Sequence, residues 1–197
     1  MNSDKVDLKP TVVFARWVSR IGHPLVLISL SLGVIVGLRL ANGVGLALLL
    51  TLLATVILPM ALLLFRGVQS GRWSDVDVSV HAERVRFYPF AIPISVMAVV
   101  ALWLMRMPAF ALRGAVITLF LLAVAALINF RIKLSLHALF AFYSAIILFA
   151  VHPVVGAIAF ALALLVFWSR LYLRRHDLLE MLVGTSLGLV GGVVTIS

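Results

Sequence analysis

A chain of 197 residues that is 64% hydrophobic and only 12% charged is not an ordinary soluble domain, in which about a quarter of residues are charged. The net charge is +9, yet the basic residues sit in short stretches between apolar runs, which excludes a nucleic-acid stripe and favours anionic lipid or phosphate as the partner. There is no cysteine, so disulfides, thiolate metal sites and cysteine nucleophiles are excluded as well.

The chain opens with a segment, residues 11–22, in which Phe14, Trp17, Val18 and Ile21 share one helical face while Arg16 and Arg20 share another. That pattern predicts a helix lying in the membrane interface. No small-residue cleavage site accompanies the first long apolar run, near Pro24, so a removable signal peptide is not expected.

Apolar runs follow at about 25–42, 44–65, 88–106, 109–130, 136–152, 153–169 and 178–196. Each is close to the roughly 20 residues that cross 30 Å of hydrocarbon as a helix. Their apolar character is continuous rather than alternating, and hydrocarbon leaves backbone groups no partner outside the segment, so helices are expected. The fold class is therefore an all-α integral membrane protein. It is a bundle of six to seven transmembrane helices, with residues 1–23 as an N-terminal cytoplasmic or interfacial segment and 24–197 as a single transmembrane domain. Tight hairpins are expected at 41–43 and at His152-Pro153.

With seven spans, one face receives the N-terminus and the stretches 66–87, 131–135 and 170–177. These hold thirteen of the sixteen Lys and Arg, leaving Arg39, Arg106 and Arg113 for the other face. All seven acids, Asp4, Asp7, Asp75, Asp77, Glu83, Asp177 and Glu180, fall on the basic face too. An excess of Lys and Arg marks the cytoplasmic side. The expected location is a prokaryotic inner (plasma) membrane with the polar loops in the cytoplasm.

The most specific stretch is Ser169-Arg170, five residues, His176, three residues, Glu180. On a helix His176 and Glu180 share a face, so the carboxylate can accept one imidazole proton and leave the other nitrogen nucleophilic. Arg170 offers a permanent charge and a forked donor set for phosphate oxygens. Upstream, Lys133-Leu134-Ser135-Leu136-His137 brings a second Ser and His. The interval from His137 to Arg170 has room for an out-and-back hairpin of two spans, which returns both clusters to one face.

These residues resemble the type 2 phosphatidic acid phosphatase (PAP2) superfamily, best over 131–190. Its third motif, Ser-Arg-x5-His-x3-Asp, is matched with Glu180 in place of Asp. Its second, Pro-Ser-Gly-His, is matched at Ser135 and His137, with Leu134 and Leu136 replacing Pro and Gly. Its first, Lys-x6-Arg-Pro, is approached by Arg84 or Arg86 before Pro89, without a basic residue seven positions earlier. The resemblance implies a lipid-phosphate or prenyl-diphosphate phosphatase that uses no metal or other cofactor. His176 would be the nucleophile of a phosphohistidine intermediate, Glu180 its orienting acid and His137 the general acid and base. Arg170, Ser135, Lys133, and Arg84 or Arg86 would bind phosphate, and the partners would be the lipid phosphate and the bilayer.

Two other readings stay open. A non-catalytic relative would bind or move a phosphorylated lipid. A Mg²⁺-dependent prenyl or phosphatidyl transferase would use Asp75 and Asp77 as an Asp-x-Asp pair on a metal-bound diphosphate. His23 and His81 read as interfacial residues and His152 as a turn residue.

Overall fold

The computed structural model describes residues 9–40 and 42–197; Asp4, Asp7 and Ala41 lie outside the described residues. Helix α1, Pro10–Ile21, starts on a proline, whose missing N–H and fixed φ suit a first helical position. It bends by 58° into α2, Pro24–Arg39. The bend falls at Gly22 and His23, where the His23 ring accepts the Leu25 N–H and Pro24 opens the new helix. α1 does not simply float on the surface. Phe14, Trp17 and Ile21 face outward, but Ala15, Val18 and Ser19 are buried, so Val18 belongs to the packed face and not to the exposed apolar one.

The second long element runs as α3, Asn42–Leu52, through a π-helical turn, Leu53–Ile57, into α4, Leu58–Gln69. Pro59 has no N–H to bond the carbonyl four residues back, and the register widens just before it, with Leu58 N–H reaching Leu53 O. Beyond a loop over 70–80 come α5, His81–Leu104; α6, Ala109–Ile128; α7, Leu136–Val151; α8, Pro153–Tyr172; and α9, Leu178–Ile196.

Among the described residues, five helices of 19–27 residues are long and apolar enough to cross a bilayer, and the bent α1–α2 pair makes up to six. Their outer surfaces carry large exposed side chains such as Trp103, Phe120 and Leu127. Apolar side chains exposed along so many helices are compatible with contact to lipid. The expected span at 136–152 is α7, which is shorter, at 16 residues. At 1.5 Å per residue it rises only about 24 Å. It is also the most buried helix, packed on α2, α8 and α9, with an unbroken buried run from His137 to Ala145.

α9 approaches α7 backbone to backbone. A Cβ on Gly184 would lie 2.5 Å from Ser135 O, and one on Gly188 would lie 2.2 Å from Leu139 O. Only glycine permits that contact, the small-xxx-small device of membrane helices. It locks the start of α9, with Glu180, against the start of α7, with Ser135 and His137.

Candidate active site

Helix ends at one end of the bundle bring the polar side chains together. The α7–α8 hairpin does return Ser135 and His137 to the same end as Arg170 and His176. Lys133 Nζ donates to Arg175 O at 2.8 Å, and Ser135 N–H donates to Glu180 O at 3.3 Å, so the two motif-bearing connections are bonded directly. At the far end, Arg39 donates to the last carbonyls of α7, Ala150 O and Val151 O, at 2.9 and 2.8 Å.

His176 lies in the α8–α9 connection, immediately before a capping box. The Asp177 carboxylate accepts Glu180 N–H at 2.8 Å, and Glu180 Oε2 accepts Asp177 N–H at 3.3 Å. The same Glu180 oxygen lies 2.6 Å from His176 Nδ1. Glutamate, one methylene longer than aspartate, thus caps the helix and holds the imidazole at once. Burial, reinforced by the charges of Arg84, Arg170 and Lys133, pushes the His176 ring down to about 2, so it is neutral. A carboxylate can only accept, so the one ring proton is on Nδ1 and Nε2 carries a lone pair. Nε2 is buried with no partner among the described residues.

Arg170, at the end of α8, is 1% exposed. Its Nη1 donates to Asp77 Oδ2 at 2.6 Å and to Ser19 Oγ at 2.8 Å, while Nε and Nη2 are buried without a partner among the described residues. The guanidinium is therefore tethered at one corner and leaves its Nε–Nη2 edge for a ligand, the edge suited to bidentate phosphate contact. His137, one residue into α7, is 2% exposed, and its Nε2 is also unpartnered, 3.6 Å from Asp77 Oδ1. Buried polar atoms normally find partners, because stranding one costs about 1–3 kcal/mol. A cluster of such atoms on two histidines and an arginine marks a ligand site.

The other expected residues divide. Arg84 is buried, with Nη1 donating to Leu134 O at 2.6 Å and Nε to Val78 O at 3.3 Å, so it braces the 133–135 connection. Ser135 caps α7, its Oγ accepting Ala138 N–H at 3.4 Å. Lys133 Nζ stands 4.0 Å from Glu180 Oε2; partial burial lowers it from its ordinary range, with Glu180 opposing. Arg86 is exposed and does not join the site. Two helical residues apart, at about 100° each, it points away from the face that carries Arg84.

Sequence reasoning missed Ser19 and His23 at the site and read Asp77 only as half of a metal-binding pair. Ser19 holds Arg170 from α1. His23, read as interfacial, has its ring 5.6 Å from that of His137 and its Nε2 4.0 Å from Asp77 Oδ1. Asp77 meets Arg170, and Asp75 pairs with Arg175 at 3.1 Å, so each carboxylate of the Asp-x-Asp pair faces an arginine. The signal for Asp77 was its place among acids on the basic face; nothing local pointed to Ser19 or His23. His81, also read as interfacial, meets Asn129 O. No protein-family model, curated protein or solved structure matches the chain.

Proposed function

We propose that this protein is a PAP2-type membrane phosphatase acting on lipid phosphates or prenyl diphosphates, with its site on the cytoplasmic face of a prokaryotic inner membrane. One observation carries the reading: His176 is oriented through Nδ1 by Glu180 and presents an unpartnered Nε2 in a buried cluster with His137 and Arg170.

In the first step His176 Nε2 attacks phosphorus as the bond to the leaving alkoxide, or to the leaving phosphate of a diphosphate, breaks. His137 gives its Nε2 proton to the leaving oxygen. In the second step water attacks the phosphohistidine, its proton passes to His137, and the N–P bond breaks to restore His176. The Nε–Nη2 edge of Arg170, with Lys133 and Arg84 nearby, stabilises charge on the phosphoryl oxygens.

The preference for a lipid over a water-soluble ester rests on a cavity. It is lined by the charged or polar His23, Asp77, Arg84 and His137 and by the apolar Leu25, Met60, Phe87, Leu122 and Phe140. A phosphate held beside His137 and Arg84 would have these apolar side chains within reach of its chain.

The test is phosphate release from short-chain phosphatidic acid and from a prenyl diphosphate by the purified protein in detergent, with and without EDTA. Release that is indifferent to EDTA and lost in His176→Ala is expected. Full activity in His176→Ala overturns the mechanism, and tight binding without release would point to a non-catalytic lipid-phosphate binder.

A further inference from the structure

Asp77 has no role in the chemistry above, yet its loop is built to deliver it. Trp73 is buried over Gly67, where a Cβ would fall 1.6 Å from its indole nitrogen. The Glu83 carboxylate accepts Ser74 N–H at 3.0 and 3.1 Å, and Asp75 Oδ1 accepts both the N–H and the hydroxyl of Ser79 at 3.1 Å. Val78, next to Asp77, has φ +47°, a conformation strongly disfavoured for a β-branched residue. Strain held in place by such a set of bonds collects at functional positions.

The Asp77 carboxylate lies 2.6 Å from Arg170 Nη1, 3.6 Å from His137 Nε2 and 4.0 Å from His23 Nε2. Consider what His137 must do. A neutral imidazole that gave up its only proton would become an imidazolate, so a histidine general acid starts as an imidazolium. Around His137 the titratable and charged groups are Arg84 from α5, Arg170 from α8, His176 from the α8–α9 connection, His23 from the α1–α2 junction and Asp77. Two of these are permanent cations, and burial removes the water that would otherwise support a third positive charge. The carboxylate within 4 Å of His137 is that of Asp77.

We infer that Asp77 is a positioning residue that acts through His137, supplying the countercharge that keeps this histidine in its proton-donating form. The inference rests on the phosphatase reading and on His137 as its general acid. When the proton leaves for the alkoxide, His137 becomes neutral and Asp77 keeps its pairing with Arg170. When water later returns a proton to His137, the same carboxylate receives the renewed positive charge.

The leaving group provides the test. An alkoxide needs a proton as it departs, whereas p-nitrophenolate leaves without one. Full-length wild type, Asp77→Asn, Asp77→Ser and His137→Gln are assayed in detergent on short-chain phosphatidic acid and on p-nitrophenyl phosphate. In both Asp77 variants kcat/KM, which reads the step that expels the alcohol and not the later hydrolysis of the shared phosphohistidine, is expected to fall about tenfold or more further on the alkyl ester than on the aryl ester. His137→Gln should show the same selectivity, more strongly. Asp77→Asn and Asp77→Ser are isosteric and smaller replacements, so selectivity in either one supports the inference. A parallel fall on both substrates, or no fall, overturns it: Asp77 would then serve only to hold Arg170. If His137→Gln is selective and the Asp77 variants are not, the general acid stands and this inference fails. If His137→Gln is itself unselective, or wild type hydrolyses neither ester, the phosphatase reading fails and takes the inference with it.

Discussion

His176 Nδ1 and Glu180 Oε2 lie 2.6 Å apart, four residues from each other, across the capping box that starts α9. The contact ties the orientation of the proposed nucleophile to the start of a helix, and two variants separate these functions. Asp177→Ala removes the cap alone and should lower stability by about 1 kcal/mol, with kcat near wild type. Glu180→Ala should cost a similar stability and reduce kcat by a further factor of about 10⁴, the scale seen when a catalytic histidine loses its orienting carboxylate. Thermal unfolding in detergent, paired with phosphate release, reads both.

The depressed His176 ring has a consequence for acid stability. In the folded protein the group titrates near 2, against 6.5 in the unfolded chain. Between these values the unfolded chain binds a proton that the folded one does not, so the folded state is destabilised as pH falls below 6.5. The limiting slope is about 1.4 kcal/mol per pH unit. Tm measured from pH 7.5 to pH 4.5 should therefore fall less steeply in His176→Asn than in wild type. Equal slopes would mean that His176 titrates normally.

Gly184 and Gly188 support different parts of the account. A methyl at either would press on backbone, the carbonyl of Ser135 or of Leu139, and neither can give way like a flexible side chain. Gly188→Ala should destabilise by about 1–3 kcal/mol. Gly184→Ala should do the same and also depress kcat, because Ser135 caps the helix that carries His137. Unfolding midpoints with activity at a permissive temperature test this pair.

Ser19 supplies one of two acceptors on Arg170 Nη1. Losing a hydrogen bond of this kind is worth about 1 kcal/mol, so Ser19→Ala should raise KM roughly fivefold while kcat is largely kept. An unchanged KM would show that Asp77 alone holds the guanidinium.

Much of this architecture is legible in the residues themselves. Hydropathy finds the helices because a bilayer demands continuous apolar runs, and the spacing of Arg170, His176 and Glu180 encodes a local geometry that any helix start reproduces. The hairpin from His137 to Arg170 is readable because parity alone decides which face a chain returns to. What is not legible depends on tertiary packing. Arg84 and Arg86 are equivalent in sequence until the phase of α5 decides which one faces inward. α7 resembles its neighbours in composition, yet it is the central helix, since only packing separates a lipid-facing Leu or Phe from a buried one. Ser19, His23 and Asp77 come from segments far from the motifs and enter through the bend after α1 and the strained loop at Val78.

Phosphorylation of His176 is the step on which the proposed chemistry depends. The purified protein is mixed for milliseconds with ³²P-labelled short-chain phosphatidic acid, quenched in alkali and mapped by peptide. Wild type should carry alkali-stable, acid-labile label on the peptide containing His176, and His176→Ala should carry none. Label retained in His176→Ala, or no label in a wild type that releases phosphate, would contradict the account.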